Sequence, residues 1–148
     1  MKYFEKQAIE KISNMLPNRE KVRFFIWDHL EPPFSQEFNL YLLKNIEDYG
    51  SWKEIKRVNG ILAYRGWIYK KRKQGHWIYN YKNGKLHRDC YFRNNKLHLR
   101  CQIYHEDGRY EITDFYKGIK NGEHLRYTKE SILCQKSNYK MGIEYFYP

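Results

Sequence analysis

From residue 58 onward the chain repeats itself every 23 or 24 residues, and that period constrains the fold more than any other feature. The dipeptides Asn59-Gly60, Asn83-Gly84 and Asp107-Gly108 recur 24 residues apart. The aromatics Tyr69, Phe92, Tyr116 and Tyr139 start their strands at steps of 23, 24 and 23, and Tyr81, Tyr104 and Tyr127 recur at steps of 23. Asn-Gly and Asp-Gly between apolar runs read as type I′ hairpin turns, where both central residues need positive φ. Between them, Trp77, Tyr79 and Tyr81 alternate with His76, Ile78 and Asn80. Leu97, Leu99, Cys101 and Ile103 likewise alternate with His98, Arg100, Gln102 and Tyr104. Such alternation buries one face of a strand and wets the other. Two strands and two turns fill one period, so the unit is a β-hairpin. A lone hairpin cannot bury its own apolar face, but several stacked in chain order can. The echo of YKKRKQGHW (69–77) in YKGIKNGEH (116–124) is then the same unit two steps along. The 15 tyrosines suit this ladder, ring against a neighbour and hydroxyl near water.

The first 57 residues follow a helical period instead. Phe4, Ala8, Ile12 and Met15 or Leu16 form one stripe, interrupted by Pro17. Asn18 caps a second helix carrying Val22, Phe25, Ile26, His29 and Leu30, which Glu31-Pro32-Pro33 ends. Ser35 begins a third with Phe38, Tyr41, Leu42, Ile46 and Tyr49 inward and Gly50 at its C-cap. Ser51 and Glu54 have capping-box spacing, which predicts a short last helix reaching Ile55. The expected fold is α+β, with a helical segment over 1–57 and an elongated antiparallel sheet of stacked hairpins over 58–148. The helices would cap one end of the sheet and the terminal Tyr-Phe-Tyr-Pro would blunt the other.

These repeats resemble the MORN family, in its divergent branch of bacterial antitoxin-like and large-virus proteins. The resemblance rests on Tyr69…Gly75-His76-Trp77 with Tyr81-Lys82-Asn83-Gly84-Lys85-Leu86, and on Phe92…Leu97-His98 with Tyr104…Asp107-Gly108-Arg109. It continues in Tyr116-Lys117-Gly118…Gly122-Glu123-His124 with Tyr127, and in a shortened Tyr139-Lys140-Met141-Gly142…Tyr145. His98 stands where the pattern has glycine, and Lys129-Glu130-Ser131 where it has Asn-Gly, so altered turns are expected there. The resemblance implies a sheet that serves as scaffold or binding surface. Association with acidic phospholipid heads and antitoxin-like binding of a cognate toxin are among the roles it brings, but it transfers no binding residue. The stretch Leu16-Pro17…Leu30 is weakly similar to an F-box, which implies a helical adaptor.

The net charge of +11 is concentrated. Residues 1–58 carry 10 basic and 9 acidic side chains and residues 101–148 carry 7 of each, whereas residues 59–100 carry 11 basic ones against Asp89 alone. Those eleven are Arg65, Lys70, Lys71, Arg72, Lys73, Lys82, Lys85, Arg88, Arg93, Lys96 and Arg100, the candidate site for an anionic partner. In stacked hairpins Lys70–Lys73 and Lys82–Lys85 fall on opposite rims, with Arg88 on a sheet face. Trp77, Tyr79, Tyr81 and Tyr91, interleaved with them, serve either as base-stacking platforms or as inter-strand core, and core is the better account.

The expected function is a non-enzymatic interaction or scaffold module that binds a protein partner through the open sheet. The alternatives are nucleic acid or acidic phospholipid on the basic patch, and a cognate toxin. No cofactor or metal is expected, since His76, His87, His98, His105 and His124 lack close-set ligand spacing. His76 and His98, one repeat apart, are expected to meet across hairpins. Cys90, Cys101 and Cys134 read as free thiols of a reducing compartment. With an N-terminus unlike a secretory signal and no apolar run of bilayer length, they imply an intracellular, cytoplasmic protein.

Overall fold

The computed structural model describes residues 1–146. Three helices, α1 (Tyr3–Met15), α2 (Arg19–His29) and α3 (Gln36–Asn45), precede a ten-stranded antiparallel sheet, so the fold is α+β. The strands are β1 (Ser51–Lys56), β2 (Leu62–Tyr69), β3 (Arg72–Asn80), β4 (Leu86–Arg93) and β5 (Lys96–Leu97), then β6 (Leu99–Tyr104), β7 (Tyr110–Tyr116), β8 (Ile119–Tyr127), β9 (Leu133–Lys140) and β10 (Ile143–Tyr145). They pair in chain order as one meander, β5 and β6 both pairing with β4. Tyr147 and Pro148, half of the stretch expected to blunt the last edge, lie outside the described residues. No described helix is long and apolar enough to cross a membrane.

The turns alternate between two designs. On one rim, Lys70-Lys71, Asn94-Asn95, Lys117-Gly118 and Met141-Gly142 all have positive φ at both positions, the signature of type I′. On the opposite rim only the glycine of each Asn-Gly or Asp-Gly pair is left-handed. There Gly60 N–H donates to Arg57 O at 2.9 Å and Arg57 N–H to Ile61 O at 2.8 Å, a type I turn followed by a G1 bulge. The dipeptides read as type I′ therefore build the other hairpin design. Their Asn or Asp side chain stabilises it by accepting from the backbone two residues on, as Asn83 Oδ1 does from Lys85 N–H at 2.9 Å. The expected altered turn at 129–131 is the same design, with Ser131 left-handed at φ 64 in place of glycine.

Each type I′ turn after the first is tied to the preceding hairpin. The amides of Asn95, Gly118 and Gly142 donate to the carbonyls of Lys73, Leu97 and Lys120 at 3.1, 2.7 and 2.8 Å. Beside each, the amides of Asn94, Lys117 and Met141 donate to the side chains of Gln74, His98 and Asn121. His98 is thus the counterpart of Gln74 and does not meet His76. The glycine position belongs to Leu99, which is left-handed at φ 67 where Gly75 and Gly122 have φ 68 and 120. A leucine there breaks the strand into β5 and β6. The aromatics Tyr69, Phe92, Tyr116 and Tyr139 end strands instead of starting them, and lie in two different registers around their turns.

The helices cover the first hairpins. Val22, Ile26, Phe38, Leu42, Ile46, Ala8 and Ile12 form the helical core, and Trp67 of β2 joins it from the sheet. The stripe on α1 differs from the expected one: Phe4 is 76 % exposed, and Glu5 is buried instead. Glu5 accepts from the Ser35 amide and hydroxyl at 2.8 and 2.6 Å, fastening α1 to the start of α3. The fourth helix is absent. Ser51–Lys56 is β1, with Trp52 opposite Trp67 and Ile55 opposite Tyr64. A helix of one or two turns supplies few internal hydrogen bonds, whereas the β2 edge offers a full ladder, so tertiary pairing wins. Gly50 is not the cap of α3, which ends at Asn45. It is left-handed at the entry to β1, where a Cβ would lie 2.9 Å from the Ile68 carbonyl oxygen.

Trp77 lies on the face away from the helices, over Gly66, whose added Cβ would come 2.1 Å from the indole. Its row continues across the sheet as Cys90, Cys101, Thr113, His124 and Ser137, all buried. Cys90 and Cys101 are joined as a disulfide across β4 and β6, with Cα atoms 4.3 Å apart. Only Cys134 is a free, exposed thiol. The expectation of three free thiols is corrected, because the register sets two of them face to face, and the thiol argument for a reducing compartment goes with it.

Leu99→Gly should raise stability by up to about 1 kcal/mol, since it removes a left-handed leucine that is 53 % exposed. Gly66→Ala should lower stability by about 1–3 kcal/mol through its clash with Trp77. Thermal unfolding of the two variants checks both signs.

Candidate interaction site

The register divides the eleven basic residues found in the sequence. Lys70, Lys71 and Arg72 sit at the first type I′ turn and Arg93 and Lys96 flank the second, all exposed. The next two turns add Lys117, Lys120 and Lys140. This rim therefore carries eight basic side chains, and residues 69–72, 92–97, 115–120 and 139–143 contain no acid. Successive turns are two strands apart, about 10 Å, so the row spans about 30 Å. Among the described residues none of the eight forms an ion pair. Four of them lie over aromatic rings. Arg93 lies over Phe24 at 4.2 Å, Lys70 over Tyr69 at 5.4 Å, and Lys120 over Tyr139 at 4.9 Å.

The rest of the expected patch is dispersed. Lys82 and Lys85 are on the opposite rim, whose later turns contain Glu106, Asp107 and Glu130. Arg88 is exposed on the face away from the helices. Arg100 is engaged by Asp114 at 3.0 Å. Lys73 is half-buried, 5.1 Å from the ring centres of Trp77, Tyr79 and Phe92, and donates to the Tyr79 hydroxyl at 2.6 Å. Arg65 lines a cleft under the helices. Lys117, Lys120 and Lys140 escaped sequence reading because charge was summed over a window, where acids from other positions cancelled them. Counting by turn position would have found them.

Rim lysines occupy strained backbone. Lys70, Lys71 and Lys117 have φ of 50, 62 and 49 where Asn or Gly is preferred. A left-handed L-residue costs about 1–2 kcal/mol, so the charge at the tip is held against a local penalty. The aromatics between them are not presented for stacking: Trp77 is buried, Tyr79 bonds Lys73, and Tyr91 stacks on His76.

A second polar cluster lies on the face away from the helices. Glu111 accepts from Arg126 at 2.9 Å, contacts His105 at 2.9 Å and lies 3.4 Å from His124, which in turn meets the Thr113 hydroxyl at 2.6 Å. Burial raises the Glu111 carboxyl, but the bonds from His105 and Arg126 outweigh it and leave the group below its ordinary value. Burial, helped by Lys120, lowers His124. Burial likewise lowers His87 and His98, with Arg88 and Arg93 adding to it. No protein-family model and no curated protein matches the chain.

A histidine lowered on folding favours the neutral fold, so its contribution is present above the ordinary value of 6.5 and is lost as pH falls below it. The unfolding temperature should therefore drop between about pH 7 and pH 5, and His124→Gln should flatten that slope. A pH series of melting curves measures both.

Proposed function

We propose that the protein is a non-enzymatic interaction module of MORN-like hairpin repeats that docks an acidic segment of a protein partner along the type I′ rim. The observation that carries this reading is the row of eight basic side chains that form no ion pair among the described residues, three of them held in left-handed backbone. Such a row raises the local concentration of an anionic partner and fixes its direction along the sheet. A protein partner is favoured over single-stranded nucleic acid because the interleaved aromatics are packed, which leaves bases little to stack on. The helices serve as the cap of the first hairpins, to which Trp67 and Trp27 bind them.

Capture of partners from nuclease-treated lysate at two salt concentrations tests the reading. The triple change Lys70→Glu, Lys71→Glu and Lys117→Glu should weaken capture at least about tenfold, while Lys82→Glu with Lys85→Glu changes it less than about twofold. Wild-type capture should fall as salt rises. Equal effects from the two rims would remove the proposal, and capture lost on nuclease treatment would replace the protein partner with nucleic acid.

A further inference from the structure

We propose that the Cys90–Cys101 disulfide is a redox switch on the basic rim. Oxidised, it holds the two halves of the rim in line; reduced, it lets them turn about the seam between β4 and β6. The inference rests on the docking role proposed above and names its regulation. At this seam β4 pairs with β6 at Arg88↔Ile103 and Asp89↔Gln102. By contrast, β3 pairs with β4 from Gly75 to Asn80, and β6 pairs with β7 over its whole length. The next positions in register are Cys90 and Cys101, so the covalent bond stands where the ladder stops. Beyond it β5 takes the place beside Phe92 and Arg93, and the left-handed Leu99 turns the chain between β5 and β6. Single hydrogen bonds cross near each rim: the Gly118 amide donates to Leu97 O at 2.7 Å, and the Tyr81 hydroxyl to Tyr104 O at 2.6 Å.

The seam also divides the charges. The rim cations up to Lys96 lie before it, and Lys117, Lys120 and Lys140 lie after it. An acidic segment long enough to touch both groups gains from their fixed spacing, because its second contact then forms at high effective concentration. Without the disulfide, the block of helices with β1–β5 and the block of β6–β10 keep their own ladders and lose that spacing. Both sulfurs are buried, at 1 and 2 % exposed, but on the face away from the helices, and the short ladder beside them is the place to open. A dithiol reductant carries the step. One of its thiolates attacks a cysteine sulfur and displaces the other, and its second thiol resolves the mixed disulfide. Two electrons and two protons pass to Cys90 and Cys101, which leave as thiols while the reductant becomes a disulfide.

The test compares the oxidised full chain carrying Cys134→Ser with the same chain in dithiothreitol. Reduction should speed exchange of the amides bonded across the seam, over 88–89 and 102–103, at least about tenfold. Amides over 123–126, between β8 and β9, should change less than about twofold. Dodecaglutamate, about 40 Å when extended, should bind the reduced chain at least about tenfold more weakly. Diglutamate, about 7 Å long, reaches one turn and should change less than about twofold. Exchange that speeds everywhere, or nowhere, overturns the hinge. Dodecaglutamate affinity that survives reduction, or diglutamate affinity that falls as far, overturns the switch. Dodecaglutamate that fails to bind the oxidised chain overturns the docking role and the switch upon it, while exchange still decides the hinge.

Discussion

The backbone hydrogen bond from each type I′ turn after the first to the carbonyl of the hairpin before it organises the molecule. It recurs at Asn95, Gly118 and Gly142, each time beside a side chain that catches the preceding turn amide. A meander of short strands is open to register slips, and a one-residue slip turns every side chain to the other face. These paired bonds fix the register at one rim, and the bulges of the Asn-Gly turns fix it at the other. Everything else follows from that register: Trp77 over Gly66, the buried row through Cys90, Cys101 and His124, and the helices seated on Trp67.

The same register sorts the charges. Two of the four type I′ turns carry lysine at their tips, while Arg100 inside β6 is engaged by Asp114 and Lys73 inside β3 by its ring of aromatics. Lysine is a poor residue for a left-handed turn. Its presence at Lys70, Lys71 and Lys117 sets a local backbone penalty against a charge presented to solvent. The opposite rim has the better turn residues and a mixed charge.

Much of the fold was legible in the sequence because the repeat forces the same chemistry to recur. The period, the antiparallel sheet, the two helix caps at Asn18 and Ser35 and the opposition of Lys70–Arg72 to Lys82–Lys85 all follow from spacing, whereas Lys73 lies half-buried on a sheet face instead of on the rim. The errors have physical causes. Ser51–Lys56 carries a helix-start signal that the open edge of β2 overrides. Asn-Gly serves both hairpin designs, and only the hydrogen bonds distinguish them. Leu99 hides the glycine position by occupying it with strain. Cys90 and Cys101 are eleven residues apart in sequence but face each other across two strands, which spacing alone does not reveal. The rim was half-seen, because three of its lysines come from a stretch whose net charge is zero.

Amide hydrogen exchange at the turn tips tests the central claim most directly. The amides of Asn95, Gly118 and Gly142 lie at exposed tips, where fast exchange is the ordinary expectation, yet each is bonded to the preceding hairpin. They should exchange at least about a hundredfold more slowly than the amides of Asn83 and Asp107 on the opposite rim. Similar rates at both rims would mean that the hairpins are not fastened turn to strand, and that the lysines do not form one continuous edge.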